Sequence, residues 1–438
     1  MIKKTRRKKG GKPLFAGAQG CVFAPSLKCK DRPRNLNDGN ISKLGYRAGS
    51  ESELKEQERI MQYIKKIRNH EKYFSVHASS CEPDALSPAD LAGFNETCVN
   101  FDNDDINASN VNQNLDKLRA INMPHLGEDL KVWMEKSKMD AHRVRQLNDR
   151  ISDLLVHAVA PMNQLGVIHN DLKSENLMMD AASANVRVID WGLAGIATPQ
   201  HPIPERHFIN NPVTYNRPFS TMLISRDIDA LYHEFISRLP AKFEPEQLEP
   251  FISDVYSIYK KMAPTGHEYF TYVFKTMFKL NTEMATLMLQ ATLERYNAKI
   301  LYHFTNPVRR KFMMHDYFNK VYRFNTDVWG VLSVFYSMFM LPRDHFVMPD
   351  STYDAMLQQY RALFRTTVFA NGHKRMNVQR IVQQLRQINN TVAVAARNKT
   401  VKKMVRFDIN ANANANANAN KTGHMHRVPT PHPLKGMY

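Results

Sequence analysis

With 438 residues, 43% of them apolar and 23% charged, the chain has the balance of an ordinary soluble globular protein and the length for two domains and a large core. The net charge of +18 is unevenly placed: residues 1–12 hold seven Lys or Arg and no acid, and residues 397–438 hold eight against one Asp. Fourteen of the eighteen charges therefore belong to the two ends, so the basic character says little about the folded body.

Neither end can bury apolar surface. Residues 1–12 are predicted to be a disordered basic arm and 397–438 a disordered tail, whose stretch Asn410–Asn420 alternates Asn with Ala like a spacer. These ends are candidates for weak contact with nucleic acid or for nuclear targeting; a solvated, solubilising role is the plainer alternative. The four cysteines, Cys21, Cys29, Cys81 and Cys98, form no Cys-x-x-Cys pair. They read as reduced thiols in a cytoplasmic compartment, with a zinc site as the alternative. No apolar leader opens the chain. The longest apolar run, Val328–Leu341, is interrupted by Gly330, Ser333 and Ser337 and is too short to cross a bilayer, so it suits a buried helix and no membrane role is expected.

Taken in order, Leu14–Phe23 places small residues between two apolar, strand-like ends. That suits a hairpin whose backbone N–H groups face phosphates. Ile41–Leu44 is a short strand with Lys43 between apolar neighbours. Ser50–Ile67 is helical by period: Ser50 and Ser52 are candidate caps, acids crowd its first turns, and Ile60, Ile64 and Ile67 form a stripe that Glu56 joins one turn earlier. The stretch Phe74–Leu115 is polar and shows no period, which predicts one or two strands within a long insertion. Leu118–Leu130 reads as a strand leading into a connection, with Asp129 starting the next helix.

Residues 144, 147, 151, 154, 155, 158, 162 and 165 are spaced as one apolar face, giving a long amphipathic helix over Arg143–Leu165 that Pro161 should bend. Two apolar runs, Leu177–Met179 and Val186–Ile189, flank a polar turn at Asp180–Asn185 and predict a β-hairpin. The loop before this hairpin carries a carboxylate (Asp171), a cation (Lys173) and an amide (Asn176) within six residues. The strand after it ends at Asp190. Phosphoryl transfer uses such a set: a carboxylate for the attacking hydroxyl, a cation for the moving phosphate, and oxygen donors for a divalent metal.

The string His169–Asn176, with Asp190-Trp191-Gly192 fourteen residues beyond it, resembles the catalytic loop and the metal-binding Asp-Phe-Gly of eukaryotic-type protein kinases. Lys173, directly after Asp171-Leu172, resembles the Ser/Thr class. Tyr215–Ile224 and the Cys-containing insertion resemble the group encoded by large nucleocytoplasmic DNA viruses.

The resemblance implies an α+β, two-lobed protein-kinase-like fold: a small β-rich N-lobe over 13–124, and a mainly helical C-lobe over 125–396 with a helical insertion at about 228–318. It implies ATP and Mg²⁺ as cofactors and proteins as substrates, with Asp171 and Lys173 catalytic and Asn176 and Asp190 on the metal. Gly17, Gly20 and Val22 match the phosphate-covering loop, although Phe15 stands where the first glycine is expected. Lys43 would clamp the nucleotide phosphates and Glu56 would pair with it, Glu53 being the alternative. Ile121–Pro124, Met123 among them, would present backbone groups to adenine. An Asp is expected to hold the catalytic-loop backbone; Asp327 is preferred, Asp227 the alternative. Two rivals share part of this pattern: a small-molecule kinase of the aminoglycoside or choline type, and a pseudokinase scaffold. Location in the host cytoplasm or a virion is the expectation, with the nucleus as alternative; the oligomeric state is not legible.

Overall fold

A five-stranded antiparallel sheet opens the computed structural model, which describes residues 12–17, 20–31, 39–75, 79–180, 183–204 and 214–394. Its strands are β1 (Lys12–Gly17), β2 (Gly20–Ala24), β3 (Asn40–Tyr46), β4 (Ser79–Cys81) and β5 (Leu118–Pro124), in the order β1-β2-β3-β5-β4. The first two form the hairpin expected from Leu14–Phe23, closing with Gly17 opposite Gly20. Lys12 belongs to β1, which corrects the disordered arm expected over residues 1–12 at that residue; residues 1–11 and those from 395 lie outside the described residues. A Cβ on Gly20 would stand 2.4 Å from the Leu44 carbonyl oxygen, so β3 excludes any side chain there. That need comes from strand packing, independently of any phosphate.

Helix α1 (Arg47–Ile64) follows β3 without a loop. It starts three residues before the predicted boundary. Its N-cap is Tyr46, which makes no side-chain capping bond, and Ser50 is buried inside the helix rather than capping it. Ile60 and Ile64 are fully buried and belong to the large core shared with the C-terminal half.

The opposite part of the sheet builds a second core. Cys21, Phe23, Leu27 and Leu44 pack there with Leu86, Phe94, Cys98, Phe101, Ile106, Val111 and Leu115 from the stretch between β4 and β5. That stretch, read from sequence as a polar insertion, is a set of short helical turns most of whose sparse apolar residues join one cluster. The reading of the cysteines as reduced thiols is corrected: Cys21 pairs with Cys98 and Cys29 with Cys81, leaving no free cysteine. Cys21–Cys98 fastens that stretch to β2, whereas Cys29–Cys81 ties the segment after β2 to β4; small cores gain most from such cross-links.

The C-terminal half is helical. Helix α2 is Leu130–Lys136, capped by Asp129 as expected. The long amphipathic run resolves into α3 (Ala141–Leu154), a wide π-type turn over Leu155–Val159, and α4 (Ala160–Gln164). Pro161 sits in the first turn of α4, where a missing N–H is tolerated; the widened turn ahead of it accommodates the ring. The predicted hairpin is present as β6 (Leu177–Met179) and β7 (Val186–Val188), with Val186 opposite Met179. The predicted helical insertion is α5 (Arg226–Ser237), α6 (Glu249–Met262), α7 (Pro264–Phe278) and α8 (Thr282–Phe304). The apolar run lies largely in α9 (Arg323–Ser333) and its continuation, and is buried on all sides. A last helix covers 378–394. Among the described residues, no helix is long and apolar enough to cross a membrane.

Candidate active site

The site is assembled on the loop between α4 and β6, and α9 holds that loop from beneath. Asp327 is 1% exposed; its Oδ2 accepts the His169 N–H at 2.9 Å and the Asn163 amide at 2.6 Å, and its Oδ1 accepts the Asn170 N–H at 2.8 Å. Burial pushes the Asp327 carboxyl upward, while His169 and the donated hydrogen bonds pull it back. One turn later, a Cβ on Gly330 would lie 2.5 Å from the Leu172 carbonyl oxygen. Asp327 and Gly330 thus present a bonding group and a gap to the same loop. Asp227, the alternative anchor, is exposed in the first turn of α5.

Above this support, Asn170 adopts a left-handed conformation (φ 65°), which Asn tolerates better than most residues. Asp171 follows. Its Oδ2 accepts from Lys173 Nζ at 2.9 Å and from Asn176 Nδ2 at 3.0 Å, and Asn176 Nδ2 also reaches the Asp171 carbonyl at 2.8 Å. With its Nδ2 committed to Asp171, Asn176 keeps Oδ1 as its acceptor. The Ile189 N–H donates to the Asn176 carbonyl at 3.1 Å, which brings the residue before Asp190 against the end of the loop. Asp190 is itself left-handed (φ 64°), and its Oδ1 accepts the Gly192 N–H at 3.3 Å. His169 closes this corner: its Nε2 faces the Ile189 carbonyl at 2.9 Å, and its ring lies 4.9 Å from that of Trp191. The four residues predicted to cluster, Asp171, Lys173, Asn176 and Asp190, are therefore on adjoining backbone.

The sheet supplies a cation. Lys43 lies on β3 opposite Val22 of the glycine hairpin, and its Nζ pairs with the Glu53 carboxylate at 2.7 and 2.9 Å. The expectation that Glu56 would be its partner is corrected: Glu56 pairs with Arg59 three residues on. Helix geometry gives the reason. At roughly 100° per residue, Glu53 falls between Ile60 and Ile64 on the buried face, whereas Glu56 is rotated roughly 60° away from Glu53. Met123 remains inside β5, opposite Ile41, and Ile121 and Asn122 are paired on both sides, to β3 and to β4. The chain leaves the sheet only at His125–Gly127, where Gly127 takes a positive φ of 105°. Gly17 and Gly20 end the hairpin strands, and the tip residues 18 and 19 lie outside the described residues.

Three residues that sequence reasoning did not assign to the site also reach the loop. Tyr215 Oη donates to Glu175 at 3.2 Å, Asn216 Nδ2 to Asp171 Oδ1 at 2.9 Å, and Arg217 Nε to the Asn170 carbonyl at 2.8 Å. The Tyr215–Ile224 stretch was distinctive, but nothing in it signalled which side chains point at Asp171.

Residues 111–215 match the family model of the protein kinase domain. The match runs from the insertion through β5 and the catalytic-loop residues to Tyr215. Lys43, Glu53 and the glycine hairpin precede it, so their grouping rests on geometry. The chain is 33% identical over 96 residues to the hormonally up-regulated neu tumor-associated kinase homolog B of Xenopus laevis, covering 20% of this chain and 14% of that protein. It is 34% identical over 96 residues to the hormonally up-regulated neu tumor-associated kinase of Mus musculus, covering 20% and 13%. It is 39% identical over 57 residues to the probable serine/threonine-protein kinase fnkB of Dictyostelium discoideum, covering 13% and 11%. The matched part is thus a small fraction of each of these proteins. Together with the domain match, they support a eukaryotic-type protein kinase.

Proposed function

We propose that the protein is a two-lobed, ATP-dependent protein kinase that phosphorylates Ser or Thr hydroxyls of protein substrates. The observation that carries this reading is the Asp171 carboxylate, held by Lys173 and Asn176 on a loop whose backbone is fixed by Asp327. Asp171 takes the proton of the attacking hydroxyl, whose oxygen bonds to the γ-phosphorus. The bond to the bridging oxygen breaks, and ADP leaves with its electrons. Lys173 offsets charge on the moving phosphoryl group. Lys43, steadied by Glu53, binds the nucleotide phosphates under the glycine hairpin, and adenine stacks beside the chain leaving β5.

The donor set, an amide oxygen of Asn176 and the Asp190 carboxylate, is all hard oxygen and fits Mg²⁺. Bound there, the metal would neutralise charge between the β- and γ-phosphates; the protein's part is to hold those two side chains in place. Kinship with kinases of large nucleocytoplasmic DNA viruses, residence in host cytoplasm or a virion, and weak nucleic-acid contact through the basic ends belong to the same proposal.

The test is transfer of labelled phosphate from ATP to casein, to a basic protein and to small amines, followed by phosphoamino-acid analysis. Label on protein Ser or Thr is expected. Label on small amines alone would favour an aminoglycoside- or choline-type kinase. Nucleotide binding without transfer to any acceptor would favour a scaffold.

A further inference from the structure

The three consecutive residues Tyr215, Asn216 and Arg217 each bind a different part of the catalytic loop, at Glu175, Asp171 and Asn170 respectively. The run is itself anchored from below: Trp329 Nε1 donates to the Tyr215 carbonyl at 3.0 Å, and the Arg217 N–H closes a turn onto the Thr214 carbonyl at 3.1 Å. Asn216, in the middle, is 3% exposed. Its Nδ2 has two protons and places one on each of two loop acceptors, Asp171 Oδ1 at 2.9 Å and the Leu172 carbonyl at 3.1 Å.

The division of donors around Asp171 gives this amide a particular role. Lys173 and Asn176 both approach Oδ2. Donors on one oxygen leave a carboxylate free to turn about its Cβ–Cγ bond, because that torsion is broad for Asp. A donor on the other oxygen fixes the plane. Among the described residues, Asn216 is the side chain that supplies it. The geometry points to Asn216 as a positioning residue that sets the plane of the Asp171 carboxylate for the incoming hydroxyl. This rests on the kinase reading above and adds a residue from the segment after 213 to the machinery. An amide suits this role because it donates without adding charge beside the moving phosphate, and it cannot compete with Asp171 for the substrate proton.

The experiment uses the full chain with the substrate identified in the transfer assay, and measures kcat, the KM for ATP and the Kd of Mg-ATP. Losing one hydrogen bond to a charged group should lower kcat on the order of tenfold to a hundredfold in Asn216→Ala. The nucleotide constants should stay at the parent values, because Asn216 touches no nucleotide-facing group. Asn216→Asp, nearly isosteric and so able to keep the fold, places a second carboxylate against Asp171 and should lose more than the Ala variant. Parent-level kcat in either variant would overturn the proposal. So would a parallel fall of kcat, Mg-ATP affinity and melting temperature, which is the signature of a purely structural residue. A parent chain that transfers no phosphate would instead remove the kinase reading itself.

Discussion

Lys43 of β3 and Glu53 of α1 form an ion pair at 2.7 Å, with only 16% and 14% of the two side chains exposed. It joins the strand under the glycine hairpin to the helix whose Ile60 and Ile64 enter the large core. The sheet and the helical half are therefore coupled through the residue proposed to hold the nucleotide phosphates.

Glu53→Gln should lower kcat/KM on the order of tenfold to a hundredfold, the weight of one charged hydrogen bond. Glu56→Gln, which breaks only the half-exposed pair with Arg59, should change it little. Steady-state kinetics on both variants checks this. Equal effects, or a larger effect at Glu56, would refute the assignment of the pair.

Asp171→Ala should cost on the order of 10²–10⁴ in turnover, the range for a lost general base, with ATP binding nearly intact. Asp190→Asn should abolish the Mg²⁺-dependent tightening of ATP. Titration calorimetry with and without Mg²⁺ separates the two. An Asp190→Asn protein that binds Mg-ATP as the parent does would show that Asp190 is not the metal ligand.

The cysteines give a stability prediction. Cys21–Cys98 and Cys29–Cys81 close separations of 77 and 52 residues; the first cross-links the small core on the sheet, and the second packs with Ala120 of β5. Each should contribute about 2–4 kcal/mol. Mass spectrometry of the native protein should find no free thiol. Excess dithiothreitol, or Cys21→Ser, should lower the melting temperature of the sheet part more than that of the helical part. Four freely alkylated cysteines in the native protein, with stability unchanged by reductant, would restore the thiol reading.

Removing residues 1–11 and 397–438 should leave the melting temperature almost unchanged and should lower any affinity for nucleic acid, with a shallower salt dependence. Calorimetry and filter binding at several salt concentrations test the two halves separately. A large fall in stability would show that an end docks on the body.

Phosphorylation after Gly192 should not be required for activity. The residue before Asp171 is Asn170, a neutral side chain, and the segment is fastened by bonds from Tyr215, Asn216 and Arg217 that need no phosphate. Arg217, a cation that could otherwise receive a phosphate, is 3% exposed with its Nε on the Asn170 carbonyl. The Thr198 hydroxyl accepts the His201 N–H at 3.0 Å, and the Thr214 hydroxyl is buried. The check is an initial rate on chain co-expressed with a phosphatase and verified by mass spectrometry as unmodified. An inert enzyme that gains activity only when a phosphate appears between Leu193 and Ser220 would sink this prediction.

The sequence by itself determined the parts of this protein whose logic is local. The loop His169–Asn176, the hairpin Leu177–Val188 and Asp190 follow from residue order and from two apolar runs flanking a polar turn, because the whole group spans little more than one supersecondary unit. Asp327, directly ahead of the apolar run, was expected from the kinase resemblance with Asp227 as the alternative, and its bonds to the loop backbone distinguish the two. Tertiary structure alone decided the rest. Glu53 and Glu56 differ by less than a turn, and only the orientation of α1 against the core selects between them. The cysteines are far apart in the chain: Cys21–Cys98 depends on how the stretch between β4 and β5 folds back on the sheet, and Cys29–Cys81 on where β4 joins it. Asn216 lies 45 residues from Asp171 in sequence. Its contact exists because Trp329 and the buried helix α9 fix where the segment after 213 returns to the loop, and no local pattern encodes that return.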